Sequence, residues 1–149
     1  MPNWCSGALK VRGEKEDVLR FLKEGLEPTG GLFSTGEAVV TEDEDSIVLK
    51  TDLMGFHING THRCFTESTV VEWEYDRMLI LDVDCAWGID VDGLAEVSKK
   101  YNLDFKIYAF EKGMEFNQDV EIHKGEIIKN DEIHFDDYQW ECIDPRIGG

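Results

Sequence analysis

An α+β fold is predicted for this chain of 149 residues. Three observations predict it: two segments whose apolar residues recur at helical spacing, runs of alternating apolar and polar residues around them, and turn residues that bound the runs. In chain order these read strand, helix, strands, helix, strand. That is the order of a ferredoxin-like βαββαβ core, here with an inserted β-hairpin region and a β-rich C-terminal extension. A sheet of this kind carries helices on one face and leaves the other free for docking.

Leu9 and Val11 alternate with polar neighbours in a first strand from about Asn3 to Val11, which ends at Gly13. Val18, Leu19, Phe21, Leu22 and Leu26 then fall at helical spacing. Glu14, Glu16 and Asp17 suit the positive N-terminal end of that helix, and Gly25 with Pro28 stops it. Residues 27–36 read as a loop. Ala38–Val40 and Ile47–Leu49 flank the acidic turn Glu42-Asp43-Glu44-Asp45 as a hairpin with a solvated tip. Asn59-Gly60 predicts a second hairpin through a two-residue type I′ turn.

Met78–Val83 is apolar enough for a central strand and leads through Cys85-Ala86-Trp87-Gly88 into the second helix. Asp90 or Asp92 caps that helix, Val91, Leu94, Ala95, Val97 and Tyr101 form its inner face, and Lys99 and Lys100 suit its C-terminal end. Asn102 can end it in a left-handed conformation. Leu103, Phe105, Ile107 and Ala109 alternate as the next strand, followed by Val120 and Ile122, a turn at Lys124-Gly125, Ile127 and Ile128, a turn at Asn130-Asp131, and Ile133, Phe135 and Trp140.

Apolar residues make up 42% of the chain and include eight Phe, four Trp and four Tyr, enough for the core of a single domain over residues 1–149. No run approaches the ~20 apolar residues of a membrane span, and Met1-Pro2-Asn3-Trp4 lacks the pattern of a signal peptide, so the expected location is the cytoplasm. Cys5, Cys64, Cys85 and Cys142 are scattered, which favours reduced thiols or metal ligands over disulfides.

The charge is the least ordinary property. Thirty-two Asp and Glu stand against 15 Lys and Arg, a formal net charge of −17. Residues 67–92 hold eight acids and one base, residues 111–144 hold eleven acids and three lysines, and residues 10–23 are locally positive with five bases and three acids. Such self-repulsion contributes nothing to the fold; it either solubilises the surface or meets something positive. The charge argues against nucleic acid, itself a polyanion, as a direct ligand, and a protein that binds nucleic acid becomes the expected partner.

The opening Met-Pro-Asn-Trp-Cys-Ser-Gly-Ala-Leu-Lys-Val-Arg-Gly, with Cys85-Ala86-Trp87 before the second helix and Tyr108-Ala109-Phe110-Glu111-Lys112-Gly113-Met114-Glu115-Phe116 after it, resembles the Api92-like, ferredoxin-like proteins of bacteriophages and plasmids. The resemblance covers residues 1–13 and about 83–128. It implies a mobile-element protein acting in a bacterial cell, with no catalytic residues to carry over. By size, charge and origin the chain is also similar to the small acidic anti-CRISPR inhibitors of phages, some of which occupy the positively charged surfaces of Cas9. That similarity implies a monomeric inhibitor of a Cas9-type effector. Its expected contacts are Glu72, Glu74, Asp76, Asp82 and Asp84 in one acidic stretch and Asp131, Glu132, Asp136 and Asp137 in the other. Tyr138 or Trp140 is the expected exposed anchor, against core packing as the competing reading, which weighs more on Trp140 than on Tyr138.

A structural Zn²⁺ site is a separate expectation. With a two-residue turn at Asn59-Gly60, His57 lies opposite His62 and Gly55 opposite Cys64, so that His57, His62 and Cys64 share one face of the hairpin. Cys85, Cys142 or a carboxylate is the fourth ligand, with Cys85 chosen because it follows the neighbouring strand. The competing reading is surface histidines beside a buried thiol. Gly-x-Ser-x-Gly, phosphate-loop, dinucleotide and His-Glu-x-x-His patterns are lacking, and no enzyme is expected. The second functional reading is a zinc-stabilised accessory or regulatory domain of a mobile element that binds its protein partner through the open sheet face.

Overall fold

The computed structural model describes residues 1–30 and 36–149. It is a mixed α+β architecture dominated by antiparallel sheet. Strands β1 (Trp4–Arg12), β2 (Leu26–Thr29), β5 (Gly55–Ile58), β6 (Cys64–Thr66), β8 (Leu79–Ala86), β9 (Asp104–Glu111), β10 (Phe116–His123) and β11 (Glu126–His134) form an eight-stranded sheet in the order β11-β10-β9-β1-β8-β6-β5-β2. Strands β3 (Val39–Glu42), β4 (Ser46–Lys50) and β7 (Val70–Glu74) form a second sheet in the order β3-β4-β7. Helix α1 (Lys15–Arg20) runs into a π-helical turn (Phe21–Gly25), α2 spans Val91–Tyr101, and a single turn, α3, spans Tyr138–Glu141. Among the described residues no helix is long and apolar enough to cross a membrane.

Alternation sets the core. In β1 every second side chain, Cys5, Leu9 and Val11, is buried, and Leu9 sits in register between Leu81 of β8 and Ile107 of β9. Phe21, Leu22 and Val18 of the first helical segment and Leu94, Val97 and Tyr101 of α2 cover that face. Phe21 packs edge-on to Tyr101 and tilted against Phe105, each with ring centroids 5.7 Å apart. On the opposite face, β8 presents Ile80, Asp82 and Asp84 and β9 presents Lys106 and Tyr108. The C-terminal segment covers part of this face, where Tyr138 Oη donates to Asn117 Oδ1 at 2.8 Å.

Local signals explain the ends of α2. Asp90 is the cap: its Oδ1 accepts from Gly93 N at 3.0 Å while Oδ2 accepts from His62 N at 2.7 Å. Asn102 ends the helix with φ 57° and ψ 45°, the left-handed conformation that asparagine tolerates. Asp90→Ala therefore removes a cap and the tether of the preceding loop, and is expected to cost about 1–2 kcal/mol in urea denaturation.

Several expected elements move. Leu26 has helical spacing but opens β2, paired with Ile58, because Pro28 two residues on cannot continue a helix; β2 is an edge strand, where a missing N–H is tolerated. Residues 27–29 of the expected loop are thus strand, and residues 31–35 of it lie outside the described residues. The acidic hairpin tip holds: Asp43 Oδ1 accepts from Asp45 N at 2.8 Å and Ser46 N at 2.9 Å. The expected turn at Asn130-Asp131 is absent. Both residues continue β11, opposite Val120 and Asp119, and the irregularity is a bulge nearer Ile127. Lys124 and Gly125, with φ 47° and 89°, do form the tight turn between β10 and β11.

The hairpin at Asn59-Gly60 is also corrected. Only Gly60 has a positive φ, 99°, whereas a type I′ turn needs it at both positions. Thr61 N still closes on Ile58 O at 3.2 Å, but the strands splay beyond it and pair again only at His57–Phe65 and Phe56–Thr66. The connection between β5 and β6 is a five-residue loop, Asn59–Arg63.

Candidate functional site: a carboxylate-lined groove

Strand β7 belongs to the small sheet and β8 to the large one, and the groove between them collects acids from both. Its walls include Glu67, Val70, Glu72, Ile80, Asp82 and Asp84. The placement follows from alternation: Val71 and Trp73 of β7 and Leu79, Leu81 and Val83 of β8 point into the core, so their neighbours point outward. Val70 and Ile80 remain 44% and 51% exposed, giving the groove an apolar floor patch among carboxylates. Asp84 accepts a hydrogen bond from Ser6 Oγ. Among the described residues none of Glu67, Glu72, Asp82 and Asp84 has an ion-pair partner.

Glu74 and Asp76 are not among the residues that line this groove. Glu74 pairs with Arg77 at 2.8 Å, and Asp76 is exposed in the turn that follows β7.

The second acidic stretch is elsewhere. Three strands, β10, β9 and β1, separate β11 from β8, about 19 Å at ordinary strand spacing. Its charges are partly neutralised by Lys129, whose Nζ lies 2.7 Å from Asp119 and 3.8 Å from Asp131; His134 Nε2 lies 3.1 Å from Glu132. Asp136 and Asp137 are exposed. The aromatic expectation is reversed here. Tyr138 is only 2% exposed, its hydroxyl tied to Asn117, while Trp140 is 86% exposed and Ile143 88%. A one-turn helix explains the exchange, because residues two apart on it point to different sides.

Of the five bases in the locally positive segment four are engaged, while Lys10 is exposed with no ion-pair partner among the described residues. Arg12 pairs with Asp104 at 2.7 Å, Arg20 with Asp17 at 3.6 Å and Lys23 with Glu42 at 2.6 Å, and Lys15 Nζ sits 4.1 Å from the Tyr75 ring centroid.

The residues expected to ligate zinc divide into two places. His57 pairs in register with Phe65, so it faces away from Cys64; its Nδ1 is 3.4 Å from Asn59 Oδ1 and its Nε2 3.4 Å from Thr61 Oγ1. His62 is exposed in the loop, held through its backbone N–H to Asp90. Cys64 and Cys85, in contrast, meet in the core with their Sγ atoms 2.6 Å apart. The change of register at the hairpin is what separates imidazoles from thiols. Among the described residues no three His, Cys, Asp or Glu side chains gather in metal-binding geometry.

Sequence reasoning missed Ile80 and Val70, and took Glu67 only as part of the acidic stretch 67–92. Strict alternation in Leu79–Val83 carried the signal for Ile80; the pairing of β7 with β4, which forms the other wall, has no local signature. Compared with protein-family models, with curated proteins and with solved structures, the chain matches none.

Proposed function

We propose that the protein is a non-catalytic inhibitor that docks its carboxylate groove against the basic nucleic-acid channel of a Cas9-type nuclease and keeps nucleic acid from loading, acting in the cytoplasm of a bacterial host invaded by a mobile element. The observation that carries this reading is the groove itself: Glu67, Glu72, Asp82 and Asp84, none ion-paired among the described residues, around exposed Val70 and Ile80. Glu72, Asp82 and Asp84 stand on strands and are unpaired among the described residues, so cationic side chains can meet them in place, and the net charge of −17 steers the encounter from a distance. Channels that hold a guide–target heteroduplex are lined with Lys and Arg for the phosphate backbone, the same chemistry the groove complements.

The net charge of −17 weighs against direct RNA binding, although the open sheet face is mixed, with Asp82 and Asp84 on β8 beside Lys106 and Tyr108 on β9. On the fold, we read β9-β1-β8 with α1 and α2 as a ferredoxin-like core in which the β5–β6 hairpin stands between β8 and β2; the antiparallel pairing of β1 with both β8 and β9 supports this.

An order-of-addition experiment tests the function. Mixed with a purified Cas9-type nuclease before its guide RNA, the protein is expected to suppress target cleavage; added after guide and target are bound, it leaves cleavage unchanged. Equal cleavage in the two orders, inhibited or not, contradicts competition for the channel.

A further inference from the structure

Three buried thiols stand in a row across adjacent strands: Cys5 on β1, Cys85 on β8 and Cys64 on β6, each no more than 1% exposed. Their relation is not symmetric. In an antiparallel pair, residues that exchange hydrogen bonds alternate with residues that do not, and the second kind sit closer, about 4.5 Å between Cα atoms against about 5.5 Å. Ala86 N donates to Arg63 O at 3.0 Å, which makes Arg63–Ala86 a hydrogen-bonded pair and the next pair, Cys64–Cys85, a non-hydrogen-bonded one. Trp87 N donates to Asn3 O at 2.8 Å, so Cys5–Cys85, two pairs on, is hydrogen-bonded and wider. Only the first pair combines the shorter Cα separation with facing sulfurs 2.6 Å apart, about half an ångström beyond a disulfide bond.

We infer that Cys64 and Cys85 are an oxidation site, closed by a small peroxide into a cross-strand disulfide between β6 and β8. Cys64 is the attacking sulfur. The adjoining Cys85 thiol holds Cys64 below the ordinary thiol range, whereas the same contact and burial raise Cys85, and burial pushes Cys5 up to about 12. The Cys64 thiolate takes one oxygen of hydrogen peroxide, the O–O bond breaks, and hydroxide leaves to become water with the proton Cys64 gave up. The Cys85 sulfur then displaces the sulfenic oxygen, which departs as a second water with the Cys85 proton. Two thiols and one peroxide give one disulfide and two waters. Strand β6 is only three residues long and pairs with β8 at two positions, so a local opening suffices for an oxidant of this size. The bond would tie the β8 wall of the groove to the strand that leads into Glu67, since Asp84 adjoins Cys85 and Glu67 follows β6.

The test is to treat the full chain with hydrogen peroxide, denature it, alkylate with iodoacetamide and map the peptides. Alkylatable thiols should fall from the four present to two, with residues 64 and 85 in one cross-linked peptide. Cys5→Ser should retain that cross-link, and Cys64→Ser should leave Cys85 alkylatable. Four alkylated thiols after peroxide, or a cross-link joining Cys85 to Cys5, overturns the inference, and the map of the unaltered chain decides it even if a variant does not fold.

Discussion

Replacing Glu72, Asp82 and Asp84 together by lysine is expected to weaken binding to a Cas9-type nuclease by at least about 100-fold, near 3 kcal/mol, and to abolish inhibition of cleavage. The size of the effect follows from position. These carboxylates line one groove from two sheets and have no ion-pair partner among the described residues, so their field is not spent inside the molecule. Reversal removes three attractions and introduces three repulsions against a cationic channel. The side chains project from strand faces whose alternate residues are buried, so the variant keeps its core and its circular-dichroism spectrum. The paired reversal of Asp136 and Asp137 serves as the comparison. It shifts net charge in the same direction at exposed residues beyond the end of β11 that do not line the groove, and is expected to slow association without abolishing inhibition. Titration by surface plasmon resonance separates the two, because loss of local contacts raises the dissociation rate.

Phe21→Ala has the largest expected effect on stability, a loss of about 3–5 kcal/mol by urea or thermal unfolding. Phe21 is fully buried and lies at the join between helix and sheet, against Tyr101 on α2 and Phe105 on β9. Removing it opens a cavity that neither neighbour can close, since Tyr101 is anchored in a helix and Phe105 in a hydrogen-bonded strand. Domains of this size have about 5–15 kcal/mol in total, so the loss takes a large share of the stability. Phe21→Leu, which keeps most of the volume, should recover the greater part of the loss.

What could be read from the sequence was what is decided locally. Asp90 and Asn102 bound α2 because capping and left-handed termination depend on a few neighbouring residues. The acidic hairpin between β3 and β4 was legible for the same reason. Leu26 was misread because helical spacing alone cannot register that Ile58, 32 positions on, takes it as a strand partner. Asn59-Gly60 marked a true turn, yet the strands beyond it pair His57 with Phe65, a register that the two turn residues do not encode. Tyr138 and Trp140 were exchanged because burial on a single helical turn is decided by Asn117, a distant residue. Half of the groove was legible: Asp82 and Asp84 lie on one face by alternation, while the opposing wall needed the pairing of β4 with β7.

The central claim is that charge in the groove, rather than charge in general, captures a cationic partner. The most direct measurement is the dissociation constant of the isosteric variant Glu67→Gln, Glu72→Gln, Asp82→Asn, Asp84→Asn against a Cas9-type nuclease without guide RNA, at 0.1 M and 1 M salt, where the Debye length falls from about 10 Å to about 3 Å. The unaltered protein should bind tightly at low salt and lose most of its affinity at high salt, whereas the variant should bind weakly at both. A folded variant that binds as tightly as the unaltered protein at low salt, with the same salt dependence, contradicts the claim.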